Sequence, residues 1–231
     1  MKERLAGNKT NQKNIKSSFI SYAMEYDTKK REIHSDKVLN ELDKLVIDFI
    51  NIIEKYANYV IVSGYVSILL GRSRASEDVD FLIQGMKFSD FREMFNSLIN
   101  RGYECANTSN PRDAYEMLDE HAIRFFKETP VPNIEFKKIT NDIQEEAFEN
   151  KIKVILKEKV LLISPLELQI AYKLYLMAGG NFEEISSDKD FEDAKHIYET
   201  FKEKINKDKL HKYVKLFKVE DKFNILKNEN F

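Results

Sequence analysis

At 231 residues the chain has room for one large domain or two small ones. Its 42% apolar residues allow a proper core, and 33% charged residues with few Gly and Pro favour helices with solvated faces. A net charge of −2 excludes a global basic field of the nucleic-acid-binding kind, and the single cysteine, Cys105, excludes an intrachain disulfide or a Cys-built zinc site. No apolar run approaches the roughly 18 residues of a membrane helix. The opening MKERLAGNKTNQKNIK lacks the apolar stretch of a signal peptide, so the expectation is a cytoplasmic protein with no membrane contact.

Residues 1–36 are polar and broken by Asn, Lys and Thr, and read as an N-terminal extension. Within it Phe19, Ile20, Tyr22 and Met24 are expected to dock as a short helix or strand. Ser35 or Asp36 can cap a helix to about Tyr56, because Leu39, Leu42, Val46, Phe49 and Ile53 recur at three- and four-residue steps. Residues 59–63, YVIVS, are short, apolar and β-branched, and predict a buried strand. A short helix follows over 64–71. Residues 77–83, EDVDFLI, then alternate acid and apolar residues as a strand with one wet face. Residues 88–102 predict a helix from Ser89 to Gly102. Strands are expected over 103–106, 122–126 and 133–139, with a strand pair over 151–156 and 159–164 turning at Lys157 and Glu158. Beyond Pro165 the pattern is helical, over 165–178, 188–204 and 207–217. The expected class is α/β (α+β): a mixed sheet of about five strands flanked by helices over 37–163, then a helical part over 164–231.

The chemistry concentrates in IVSGYVSILLGRSRASEDVDFLI, residues 61–83. On a strand, Asp78 and Asp80 share one face, about 6–7 Å apart. Two carboxylates so close repel unless a cation lies between them. Oxygen donors of this kind suit Mg²⁺ or Mn²⁺. Gly64 permits a close backbone approach, and Ser63 adds a hydroxyl. Arg72 and Arg74, just upstream of the acids, can pair with phosphate. Glu135, between Ile134 and Phe136, is the candidate third carboxylate, completing a metal set of Asp78, Asp80 and Glu135. His34, His121, His196 and His211 are dispersed, and no Ser/His/Asp arrangement competes.

These residues resemble the DNA polymerase β-like nucleotidyltransferase superfamily. Its pattern is an apolar residue, Gly-Gly or Gly-Ser, a stretch of roughly ten to thirteen residues, then Asp-x-Asp or Asp-x-Glu between apolar residues, with a third acid on a later strand. Val62-Ser63-Gly64 and Asp78-Val79-Asp80-Phe81 fill it in order, with Ser63 where the family usually has Gly. GRSRASEDVDFLI looks especially like small prokaryotic nucleotidyltransferases of the abortive-infection toxin type. Ser164-Pro165-Leu166-Glu167 with Lys173, and Lys189-Asp190-Phe191-Glu192-Asp193, resemble that group's helical part. The resemblance implies a two-metal transfer of a nucleoside monophosphate from a nucleoside triphosphate to an acceptor hydroxyl. Lys173 would touch the triphosphate beside Arg72 and Arg74, and Asp190 or Asp193 would line the groove. The acceptor would be a tRNA, a protein or a small molecule, and an antitoxin protein would be a partner. Two alternatives stand beside it: a catalytically silent module of this fold that binds RNA or a partner protein, and an antibiotic-type modifier of small molecules.

Overall fold

The computed structural model describes residues 24–177 and 188–228. Phe19, Ile20 and Tyr22 lie outside the described residues, whereas Met24 opens the first strand. The described strands are β1 (Met24–Asp27), β2 (Glu32–Ser35), β3 (Tyr59–Val62), β4 (Asp78–Ile83), β5 (Tyr103–Cys105), β6 (Ile123–Lys127), β7 (Thr129–Lys138), β8 (Ile152–Leu156) and β9 (Lys159–Ile163). They form one mixed sheet in the order β1-β2-β8-β9-β3-β4-β7-β6-β5. The helices are α1 (Glu41–Ile53), α2 (Gly64–Leu69), α3 (Phe88–Ile99), α4 (Pro111–Met117), α5 (Asp142–Glu149), α6 (Leu166–Leu176), α7 (Lys189–Phe201), α8 (Lys207–Phe217) and α9 (Glu220–Asn228).

The mixed α/β architecture is the expected one, but the sheet has nine described strands and not about five. The difference lies at the edge. β2 pairs in parallel with β8, with Glu32 opposite Lys153, and β8 pairs with β9. Residues 24–35 therefore extend the same sheet as the rest of the chain.

Helix α1 begins later than Ser35 or Asp36. Ser35 closes β2, and its Oγ accepts from the Lys37 amide at 3.2 Å. Asn40 is the cap: its Oδ1 accepts from the Asp43 amide at 2.8 Å, and Asp43 Oδ2 accepts from the Asn40 amide at 2.9 Å. This reciprocal pair satisfies two amides that the first turn leaves open. The buried Asp43 also accepts, at Oδ1, from Lys37 Nζ at 2.8 Å and the Tyr65 hydroxyl at 2.9 Å. One carboxylate thus ties α1 to the segment before it and to α2.

Phe49 of α1 packs against Phe81, Tyr103, Phe125 and Phe136, with ring centroids 5.3, 5.5, 5.8 and 6.0 Å away. Three of these contacts are edge-to-face and the one to Phe125 is tilted, and such pairs add to the burial of each ring. They fix β4, β5, β6 and β7 beneath one helix. Because strand side chains alternate, Val79 and Phe81 pointing into this core send Asp78 and Asp80 to the other face. That second face is apolar lower down, where Val60, Leu82 and Phe148 of α5 form a small cluster.

Candidate active site

Strand β4 pairs in parallel with β7 in a register that sets Asp78 opposite Asn133, Asp80 opposite Glu135 and Leu82 opposite Lys137. The structure therefore brings Asp78, Asp80 and Glu135 onto one face of two adjacent strands. Asp80 and Glu135 are buried and Asp78 is half-buried. The two buried acids are not alone. Lys137 Nζ lies 2.6 Å from Asp80 Oδ1 and 2.5 Å from Glu135 Oε2. Arg124 of β6, whose register partner is Glu135, donates from Nε to Glu135 Oε1 at 2.9 Å.

These neighbours set the charge states. Burial pushes the Asp80 carboxyl above its usual range, and Lys137 offsets only part of that. Burial would push Glu135 up too, but hydrogen bonds and charge from Lys137 and Arg124 outweigh it and hold Glu135 below its usual value. Burial would lower Lys137, yet Asp80 and Glu135 together keep it above its ordinary value.

The donor set divides when tested as a cation site. Asp78 and Asp80 fit one divalent ion: they share a face, and Asp80 commits one oxygen, Oδ1, to Lys137. Glu135 fits poorly, because both of its oxygens are engaged by basic groups. Among the described residues no three His, Cys, Asp or Glu side chains converge as a metal would need. Sequence reasoning passed over Lys137 and Arg124. Alternation alone puts Lys137 on the face of Glu135, but a lysine on a strand reads first as a solvated residue.

Ser63 follows β3 with φ 65° and ψ −141°, a backbone region that is nearly Gly-only. Its carbonyl accepts from Gln169 Nε2 of α6 at 2.6 Å, and Gln169 Oε1 accepts from Ser164 Oγ at 2.8 Å. The hydroxyl of Ser63 makes no capping bond to α2. Replacing Ser63 by Gly is expected to relieve about 1–3 kcal/mol of strain, partly offset by the greater freedom of Gly when unfolded. The net gain should be about 1 kcal/mol, or roughly 2–4 °C in Tm for a chain of this size. Calorimetry on the two proteins checks this, and an unchanged or lower Tm would mean that the turn carries no strain.

The expected phosphate-binding side chains gather on Asp193 of α7. Asp193 is 0% exposed. It accepts from Arg72 at Oδ1, from Arg74 Nε at Oδ1 (3.1 Å), from Arg74 Nη2 at Oδ2 (3.0 Å), and pairs with Lys173 Nζ at Oδ2 (2.9 Å). Lys173 Nζ also reaches Asp190 Oδ1 at 2.6 Å. The resemblance implies that Lys173 touches the triphosphate, but here its side chain is 3% exposed. Arg72 and Arg74 keep more contact with solvent. Among the described residues three cations face two carboxylates here, leaving one excess positive charge. Gly64 explains the fit: a Cβ there would overlap Arg74 Nη2, so the bare Cα admits the guanidinium that Asp193 anchors.

Beside this machinery opens a cavity of about 700 Å³. Ser63, Asp80, Lys137 and Gln169 stand on its wall with Leu168 and Tyr172 of α6, and α5 and α8 complete the lining. Among the described residues Asp80 is the only acid on its lining. The structure thus brings Ser63, Asp80 and Lys137 to the cavity. Asp190 and Lys173 belong with Arg72 and Arg74 to the cluster on Asp193.

No protein-family model and no curated protein matches the sequence. Solved structures of related shape include an antigenic nucleotidyltransferase-like protein from Paracoccidioides brasiliensis, 14% identical with a TM-score of 0.48 over 80% of this chain and 91% of that one. The lincosamide antibiotic adenylyltransferase LnuA, in its lincomycin-bound form, is 14% identical with a TM-score of 0.43 over 70% and 98% of the two chains. The antibiotic-resistance factor ANT(2'')-Ia is 12% identical with a TM-score of 0.47 over 80% and 96%. These are likenesses of shape alone.

Proposed function

We propose that this chain transfers a nucleoside monophosphate from a nucleoside triphosphate to the hydroxyl of a small-molecule acceptor. The observation that carries the reading is the placement of Asp78 and Asp80 on one strand face, with Asp80 opening into the cavity and the strained Ser63–Gly64 turn beside it. Arg72 and Arg74 precede Asp78 in the chain, and the cavity runs along Asp80 and Leu82. A triphosphate held at the arginine end and an acceptor held in the cavity would meet at the aspartates.

In the transfer, an acceptor oxygen bonds to the α-phosphorus, the bond from that phosphorus to its bridging oxygen breaks, and pyrophosphate leaves. The acceptor's proton passes to solvent. Mg²⁺ or Mn²⁺ on Asp78 and Asp80 would supply charge stabilisation for the phosphates. Arg72 and Arg74 would steady the leaving pyrophosphate with the excess positive charge of their cluster. The walls of the cavity orient the acceptor and exclude water.

A volume of about 700 Å³ lies within the roughly 300–1,000 Å³ of small-molecule sites. This supports a compact acceptor over a polymer. Incubation with each α-labelled nucleoside triphosphate, Mg²⁺ and either a small-molecule extract or total tRNA and protein tests it. Label is expected in a low-mass product. Label confined to RNA or protein would overturn the acceptor assignment, and no label anywhere would overturn the transfer itself.

A further inference from the structure

The parallel register of β4 and β7 sets Asp80 and Glu135 side by side on neighbouring strands, which lie about 4.8 Å apart. Their carboxylates turn toward one point, and at that point stands an ammonium. Lys137 Nζ is 2.6 Å from one acid and 2.5 Å from the other. The side chains of Asp80 and Glu135 are 13% and 10% exposed, so each needs a counter-charge inside the fold. Lys137 comes from β7 itself, two residues beyond Glu135, so its stem rises from the same sheet face. The remaining oxygen of Glu135 belongs to Arg124. Among the described residues, Lys137 and Arg124 pair with Asp80 and Glu135, and neither pairs with Asp78.

We propose that Lys137 is a tethered cation that stands in place of one divalent ion between Asp80 and Glu135, leaving the chain with a single divalent-ion position on Asp78 and Asp80. The proposal rests on the reading of Asp78 and Asp80 as the ion-binding pair and goes further in assigning the second position to a side chain. An ammonium and a hydrated divalent ion cannot share the space between two carboxylate oxygens this close. Two carboxylate oxygens, at 2.6 and 2.5 Å, hold the ammonium in place. A tethered cation also carries no cost of capture from solution, so the site is electrostatically closed on this side before any nucleotide binds. Glu135 then acts as a positioning residue for Lys137 and not as an ion ligand.

Counting Mn²⁺ bound to the full chain by electron paramagnetic resonance, without nucleotide, tests the proposal. Wild type and Lys137→Arg are expected to bind one Mn²⁺ per chain, and Lys137→Met two. The increment belongs to Lys137, and the wild-type count to Asp78 and Asp80. If Lys137→Met binds no more Mn²⁺ than wild type, Lys137 does not stand for a cation. A wild type that binds none while Lys137→Met gains one would leave the role of Lys137 intact and remove the ion from the transfer reading. Thermal unfolding gives the second measurement: Mn²⁺ should raise the Tm of Lys137→Met more than that of wild type. If Lys137→Met does not fold alone, Mn²⁺ must fold it, and Lys137→Gln must show the same gain; failure of both overturns the proposal.

Discussion

Replacing Asp193 by Ala is expected to cost about 3–5 kcal/mol of folding stability, the usual loss when one partner of a buried ion pair is removed. Asp193 has no exposure, and it receives Arg72, Arg74 and Lys173. Without it, among the described residues, Lys173 keeps only Asp190, and Arg72 and Arg74 lose the carboxylate that holds Arg74 against Gly64. A domain holds only about 5–15 kcal/mol in all, so the variant should unfold at a much lower urea concentration. Pairing Asp193→Ala with Lys173→Met should recover part of the loss, because the second change removes a buried cation left short of partners. The double-mutant cycle measures that coupling. A single-variant loss below about 1 kcal/mol would show that the cluster is solvated and that the three basic side chains are free to move. The same anchoring governs the variant Lys173→Ala. The substitution would leave Asp190 and Asp193 short of a cation, so weaker nucleotide binding alone would not assign Lys173 to the triphosphate.

What the sequence made legible follows from what its local patterns can carry. The alternation in Asp78-Val79-Asp80-Phe81 is local, so the strand and its acidic face could be read directly. The apolar run 59–62 and the helices at 166–176, 189–201 and 207–217 were legible for the same reason. The hairpin of β1 and β2 was not. Its strands have four residues each, mostly polar, and β2 gains its place from β8, far away in the chain. Helices α4 and α5 are also short, and only their caps mark them: Asn110 before Pro111, and Asn141 accepting from the Gln144 amide. In the site, the two strands of acids were legible, but their pairing was not. Only the register of β4 against β7 puts Asp80 beside Glu135, and only then does Lys137 become a counter-ion and not a surface lysine. Ser63 carried a faint signal, a residue with a side chain where the resembling pattern has Gly. The structure gives it a physical meaning as a positive-φ turn held by Gln169.

Asp80→Asn is expected to lower the transfer rate by roughly a thousandfold while leaving the fold in place. The isostere keeps the shape of the side chain and can still hydrogen-bond, but it loses the charge that holds a divalent ion. Ion assistance supplies several kcal/mol of charge stabilisation, and each ~1.4 kcal/mol is tenfold in rate. Stability should change little. Burial already penalises the Asp80 carboxylate, and removing its charge relieves repulsion from Asp78 and Glu135 as it weakens the tie to Lys137. Asp78→Asn should lower the rate as well, and the double variant should fall no further than about the larger single loss, as residues acting as one unit do. The most direct measurement of the central claim is pyrophosphate release from each nucleoside triphosphate, with Mg²⁺ and a small-molecule extract, by wild type and by Asp78→Asn with Asp80→Asn. The account predicts release that needs Mg²⁺, is stimulated by the extract and vanishes in the double variant. Equal release by both proteins, or none by wild type with any of the triphosphates, would contradict it.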